Sequence, residues 1–454
     1  MRSSNIAHLL GVIREVDGSM RPALLLPIFI SLLLGQGAPS NLPRVYLSGS
    51  TGLIYSNNSS DAWNRIFYFL LSRKLQVRLS SDFPEGAPFT NGLGDRSIST
   101  RTFERNEIGD RAIDPMYPTF FVGFGSMLVL SDSACPQFVQ ALRDALSEKV
   151  PRSANARALM QSDLWGAHDA LFSAFLPDDE RRLGERRRVA LDLIARLIRK
   201  VALTQDEINA LPENYSSMVR RYSFPDVFAK DSGWIEIAWF LPRTHDRAAG
   251  YRRVSRVFLK PTHAPRDISK FLEAQANTPD DPSGLDGVAL LTQLLLIDSR
   301  GDLKPTRLTS EVQVRLFVRT NAARPKTTMR VCEMSRKLFL QSPDSGGLVL
   351  EKESTPAYLS DGGSYGFAEG QLVPGGSTIS EPVQVKLRTR CAACHGENLA
   401  QMMTFSIARP PKAQAPPIRH LNPAAAEVAD IDMANKRRSH AFQALREYFK
   451  PVRQ

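Results

Sequence analysis

The chain has 454 residues, of which 43% are hydrophobic and 23% charged. Those shares belong to globular proteins and exclude a disordered or fibrous chain; the length suits two or three domains and a sizeable core. The formal net charge of +11 describes either solvated helix faces or a basic surface that steers an acidic partner or lies against anionic lipid. No nucleic-acid-binding motif accompanies it.

Near the start, Ala23 to Leu34 reads ALLLPIFISLLL, an apolar run preceded by Arg21 and followed by Gly35-Gln36-Gly37-Ala38. A short apolar core between a basic residue and small residues is the pattern of an export signal. It is shorter than the ~18 apolar residues that argue for a spanning helix. We assign residues 1–37 as a signal peptide and expect no spanning helix in the mature chain; an uncleaved anchor or a buried core helix is the alternative. Arg14, Glu15 and Asp17 suit a signal poorly, so Met20 is a candidate true start.

Residues 38–385 form the body. A turn-rich stretch over 41–60 precedes a helix opened by Ser60 or Asp61, with Ile66, Phe67, Leu70 and Leu71 on one face. Lys74 to Leu79 alternates as a strand, 83–118 reads as loop, and Phe120 to Leu130 reads as one or two buried strands. Helical spacing follows over Pro136–Lys149, Asn155–Phe175 and Asp178–Ala202. Thr204-Gln205-Asp206-Glu207 is a capping box. Trp165, His168 and Asp169 fall on the second of these helices, where a lone histidine is more often structural than a ligand. The pattern then turns to strands: Trp234–Leu241, Tyr251–Leu259, Val288–Ile297, Val312–Val318, Leu338–Leu340 and Leu348–Leu350. Residues 352–380, rich in Gly and Ser, read as loops, and Val383–Leu387 alternates again. The body is therefore α+β, a helical middle flanked by mainly antiparallel strands. No internal repeat is present.

After that strand stands Cys391-Ala392-Ala393-Cys394-His395. Two thiols one helical turn apart can each add to a haem vinyl group, and the adjacent imidazole is then held beneath the iron. Zinc normally takes four protein ligands, and no second ligand pair lies nearby. A thioredoxin-like pair needs a βαβ setting that the preceding segment lacks. Residues 386–454 thus resemble c-type cytochromes, in this motif and in a closing helix over Lys436–Phe449 with Phe442, Leu445, Tyr448 and Phe449.

The resemblance implies one covalent haem c, tethered by Cys391 and Cys394 with His395 as proximal iron ligand. In such proteins a loop before the late helix carries a distal methionine, and Met433 stands in the matching place. His420 and His440 are the alternatives; Met402 and Met403 follow His395 too closely and read as core side chains. A small segment does not enclose a haem alone, so the body is expected to form one wall of its pocket.

Covalent haem and an export signal point to the same compartment, the bacterial periplasm or the exterior. Cys135 and Cys332 remain, either bridged there or as two separate buried thiols. The function expected from the resemblance is electron transfer with a redox partner protein, an acidic one if the basic surface steers it. An oxidoreductase with its active site in the body, or a binding or structural protein with an accessory haem, is the alternative. The body carries no G-x-S-x-G, H-E-x-x-H, P-loop or Rossmann fingerprint.

Overall fold

Asp61 opens the first helix. Its Oδ1 accepts the amides of Trp63 at 2.8 Å and Asn64 at 3.3 Å, and this side-chain cap starts α1 (Ala62–Leu71). The computed structural model describes residues 54–71, 73–79, 99–103, 129–130, 132, 134–149, 152–173, 181–239, 252–277, 284–318, 326–351, 356–359, 365–368, 371–374, 383–386, 421–423 and 428–450. The expected leader over 1–37 lies outside these residues, as do the strands expected over 120–130 except for residues 129–130, which form a buried turn. β1 (Arg73–Leu79) and β2 (Ser99–Phe103) follow α1 as an antiparallel pair; β2 falls in a stretch expected to be loop.

The helical middle is present as expected. In α2 (Cys135–Ser147), Cys135, Phe138, Val139, Leu142 and Ala145 are buried, the three-and-four spacing that puts one stripe on the core. Then come α3 (Ala154–Ser173) and α4 (Arg181–Val201). α4 buries Leu183, Ala190, Leu193, Ile194, Leu197, Ile198 and Val201 and ends on Arg199 and Lys200, cations suited to the negative end of the helix dipole. The capping box forms: Thr204 Oγ1 accepts the Glu207 amide at 3.2 Å and Glu207 Oε2 accepts the Thr204 amide at 2.8 Å, starting α5 (Gln205–Asn209). α6 (Tyr215–Tyr222) closes the group, with Ser223 in the left-handed region at its end.

From here the chain is mostly sheet. β3 (Ile235–Trp239), β4 (Arg253–Pro261), β5 (Leu285–Ile297), β6 (Leu303–Val318), β7 (Lys326–Met334) and β8 (Leu348–Glu351) pair antiparallel in sequence order. Helix α7 (Ile268–Asn277) lies between β4 and β5 in sequence. β5 is near-continuously apolar and almost wholly buried, because it is flanked by strands and covered on both faces. The β5–β6 register slips at Thr292, which pairs with Glu311 while Gln293 pairs with Thr309. Ser310 is the extra residue of this bulge, and its Oγ is 3.1 Å from Thr292 Oγ1.

Leu338–Leu340, expected as strand, is helix: α8 (Arg336–Gln341). Ser335 decides this, its Oγ accepting the Leu338 amide at 3.1 Å. The stretch expected as loops over 352–380 contains β9 (Pro356–Leu359) and a hairpin of β10 (Tyr365–Ala368) and β11 (Gln371–Pro374). These strands have four residues each, too few to show a clear alternation. The expected strand before the haem motif is β12 (Val383–Lys386). It pairs antiparallel with β9 and parallel with β1, giving a second sheet of order β2-β1-β12-β9.

The last described elements join the body. β13 (Leu421–Pro423) pairs with β3 and completes the seven-stranded sheet. A helix that was not expected, α9 (Val428–Arg437), precedes the closing helix expected over Lys436–Phe449, which begins later, as α10 (His440–Arg446). Ser439 separates them by accepting the Phe442 amide on Oγ at 3.3 Å. Val428, Met433, Phe442, Leu445 and Phe449 belong to the same apolar cluster as Phe138, Trp165, Leu193 and Ile198. The described chain is thus a mixed α+β fold. No described helix is long and apolar enough to cross a membrane.

Candidate functional site

Of the residues expected to form a site, Cys391, Cys394, His395 and His420 lie outside the described residues. Met433 stands within α9, not on a loop before the closing helix, and is 6% exposed in the main apolar cluster. This corrects its expected setting: residues from Val428 onward already coil into a helix, which turns Met433 inward. His440 is the first residue of α10 and is exposed. Cys135 and Cys332 are both free and buried, in different apolar clusters, so the structure holds them as separate thiols. Burial pushes both thiols up, Cys332 to about 12.

What the fold brings together instead is buried charge. On α3, Asp163 and Asp169 stand on the face turned into the protein, both under a tenth exposed. The Lys436 ammonium on α9 donates to Asp169 Oδ2 at 2.5 Å. Arg252, just before β4, places Nε 3.5 Å from the same oxygen, and His168 Nδ1 is 3.9 Å from Asp169 Oδ1. Lys436 Nζ also lies 4.8 Å from the centroid of the Trp165 ring, which packs on Phe442 at 5.9 Å.

Burial raises the Asp169 carboxyl, but Lys436, His168 and Arg252 together hold it below its ordinary value. Burial lowers Lys436, and Asp169 opposes that shift. The two shifts pull the pair in opposite directions: the low Asp169 value favours its carboxylate, while desolvation works against the Lys436 ammonium. Arg336 grips Asp163, six residues before Asp169 on α3, with two bonds, Nη2 to Oδ1 at 2.7 Å and Nε to Oδ2 at 3.2 Å. Tyr55 donates its hydroxyl to Asp163 Oδ2 at 2.9 Å.

On the sheet, Glu311 is 1% exposed. Gln313 Nε2 donates to its Oε1 at 2.6 Å, and it stands opposite Thr292 on β5 and Glu333 on β7. Burial pushes its carboxyl up to about 7, against the lowering effect of Gln313, Arg253 and Thr292. Burial in turn pulls Arg253 down to about 10, with Glu311 and Glu333 opposing and Arg252 and Arg336 adding to the fall. The charges of α3, α8, α9, β4 and β6 therefore act on one another. Displaced ionisable groups gathered in this way are a mark of functional sites, and of structural ion networks too.

Among the described residues, no group of three or more His, Cys, Asp or Glu side chains is placed to hold a metal ion. The described network pairs acids with bases: Asp169 with Lys436 and Arg252, and Asp163 with Arg336. Sequence reasoning named Trp165, His168 and Asp169 and placed Lys436 at the start of the closing helix, without a role. The local signal was a helix that carries Gln161, Asp163, His168 and Asp169 among its apolar residues, all four of which are buried. Comparison with protein-family models, curated proteins and solved structures finds no match to the chain.

Proposed function

We propose that the protein is an exported, single-haem c-type cytochrome-like electron carrier. The observation that carries this reading is the run Cys391-Ala392-Ala393-Cys394-His395. Its donor set fits the group: two thiols to form thioethers and one imidazole for the iron. When bound, haem c supplies reversible one-electron exchange. The remaining work falls to the chain. Cys391 and Cys394 would tether the group permanently, and His395 would hold its iron on the proximal side. Helices α9 and α10 already belong to the body's largest apolar cluster, which supports a pocket walled partly by the body. For the sixth position, exposed His440 is free to turn toward a ligand, whereas Met433 would have to act inside the core.

The apolar run at Ala23–Leu34 supports export to the bacterial periplasm or beyond, where covalent haem attachment takes place. Exposed Arg181, Arg182, Arg188, Arg196 and Arg199 along α4 support a redox partner with an acidic face. The decisive experiment is expression in a host competent for cytochrome maturation, followed by a haem stain on the denatured chain. Retained colour supports the reading; a colourless secreted chain with both sulfhydryls free overturns it.

A second reading, an oxidoreductase whose active site lies in the body, draws on the buried charge around Asp169 and Glu311. Turnover with peroxide and a reducing dye would favour it, provided that turnover is lost in Glu311→Gln.

A further inference from the structure

Two oxidisable rings lie side by side at the start of the described chain, each with its proton already aimed at a carboxylate. Tyr55 and Trp63 have ring centroids 6.4 Å apart. The Tyr55 hydroxyl donates to Asp163 Oδ2 at 2.9 Å. Trp63, 2% exposed, donates its indole Nε1–H to Glu148 Oε2 at 3.1 Å. Each acceptor is fixed by an arginine. Arg336 holds Asp163 through both carboxylate oxygens. Arg152 holds Glu148 in the same manner, at 2.9 and 3.3 Å, and ties it to Asp61 at 2.8 Å. Phe67 flanks Tyr55 with centroids 6.2 Å apart and helps to exclude water.

A tyrosine bonded to an aspartate is ordinary. Two neighbouring oxidisable rings, each facing an arginine-held carboxylate, form a more specific arrangement, because oxidation of a phenol or an indole turns its O–H or N–H into a strong acid. Without an acceptor, the proton must leave through a buried interior. At rest the phenol keeps its proton: burial and then the charge of Asp163 raise the Tyr55 hydroxyl well above its usual value, against Arg336.

We propose that Tyr55 and Trp63 form a proton-coupled redox pair that accepts a one-electron hole from a strongly oxidising one-electron partner. In the first step the Trp63 indole gives one electron to that oxidant, which is reduced by one, and its N–H proton passes to Glu148. In the second step the Tyr55 phenol gives an electron to the indole radical. The indole regains its proton from Glu148, and the phenol's O–H proton passes to Asp163. The net result is a neutral phenoxyl radical at Tyr55, a protonated Asp163 and an oxidant reduced by one electron. The hole settles on the tyrosine because a neutral indole radical oxidises a phenol. Nothing in this pair depends on haem attachment.

The test is flash photo-oxidation of the full-length protein, in its oxidised resting form, by a ruthenium tris-bipyridine complex with a sacrificial quencher. Radicals are read by electron paramagnetic resonance and transient absorption. Wild type should give a neutral tyrosyl signal whose formation slows in deuterium oxide. Tyr55→Phe, which removes only the hydroxyl, should replace it with a tryptophan-type radical that Trp63→Phe in the same chain abolishes. Circular dichroism establishes that these variants fold. An unchanged tyrosyl signal in Tyr55→Phe, or radical formation without a solvent isotope effect, would overturn the proposal.

Discussion

Lys436 donates to Asp169 at 2.5 Å across a sequence separation of 267 residues, and both side chains are under a tenth exposed. This bond ties the end of the chain to its helical middle. A charge pair at that depth is strongly interdependent: the attraction that holds it is lost if either member goes, and the survivor remains desolvated.

Lys436→Met should therefore cost about 3–5 kcal/mol, leaving Asp169 with Arg252 as a weaker partner. Asp169→Leu together with Lys436→Met should cost much less than either change alone. Urea unfolding monitored by Trp165 fluorescence checks both, and the coupling follows from the double-mutant cycle. A double-variant cost equal to the sum of the two single costs would show that the pair is not coupled.

Gly347 is the second site where the fold rests on one atom. Its φ is +69°, and a Cβ there would come within 2.6 Å of Phe339 Cβ. Gly347→Ala should cost at least the ~1–2 kcal/mol of the left-handed backbone, plus the displacement of α8. Ser335→Ala, which removes the cap of the same helix, should cost ~1 kcal/mol. Denaturant midpoints compare the two.

Much of the architecture is legible in the chain because its causes are local. The stripe from Cys135 to Ala145, the Thr204–Glu207 box and the apolar run of β5 each carry their own structural signal. Leu338–Leu340 misleads because a three-residue apolar run reads alike in strand and helix; Ser335, a cap three residues earlier, is what decides. The closing helix reads as starting at Lys436 because Ser439 is as tolerable inside a helix as at its start. The charge network is invisible for another reason. Asp169, Arg252 and Lys436 lie on separate elements, and only tertiary packing shows that they share a site. Lys436 alone reads as a solvated residue.

The thiols of Cys135 and Cys332 are buried and held above their ordinary range by desolvation. A thiolate is the reactive form, so neither should react with a disulfide reagent in the native protein at neutral pH. Both should react at once in denaturant without prior reduction. A chain that needs a reductant before these two residues label would contain the bridge that the structure lacks.

Glu311 should make stability fall as the medium turns alkaline. Its carboxyl is raised to about 7 from an ordinary 4.5, so between those values the folded chain binds a proton that the unfolded chain has released. Stability rises with pH where the unfolded state binds more protons, and here it binds fewer. The contribution of this group is therefore full below about 4.5 and is lost as pH rises through about 7. The groups that face it decide the size of the effect: Thr292 from β5, Gln313 from its own strand, Glu333 from β7 and Arg253 from β4. Asp169, held low, has the opposite sign, but its loss begins only in acid, below its unfolded value. Between pH 5 and 8 the slope should thus belong to Glu311. Glu311→Gln keeps an acceptor for Gln313 and should flatten that slope, raising the unfolding midpoint at pH 8 more than at pH 5. A wild-type midpoint that is level over this range, or a variant with the same slope, would place the buried proton on another group.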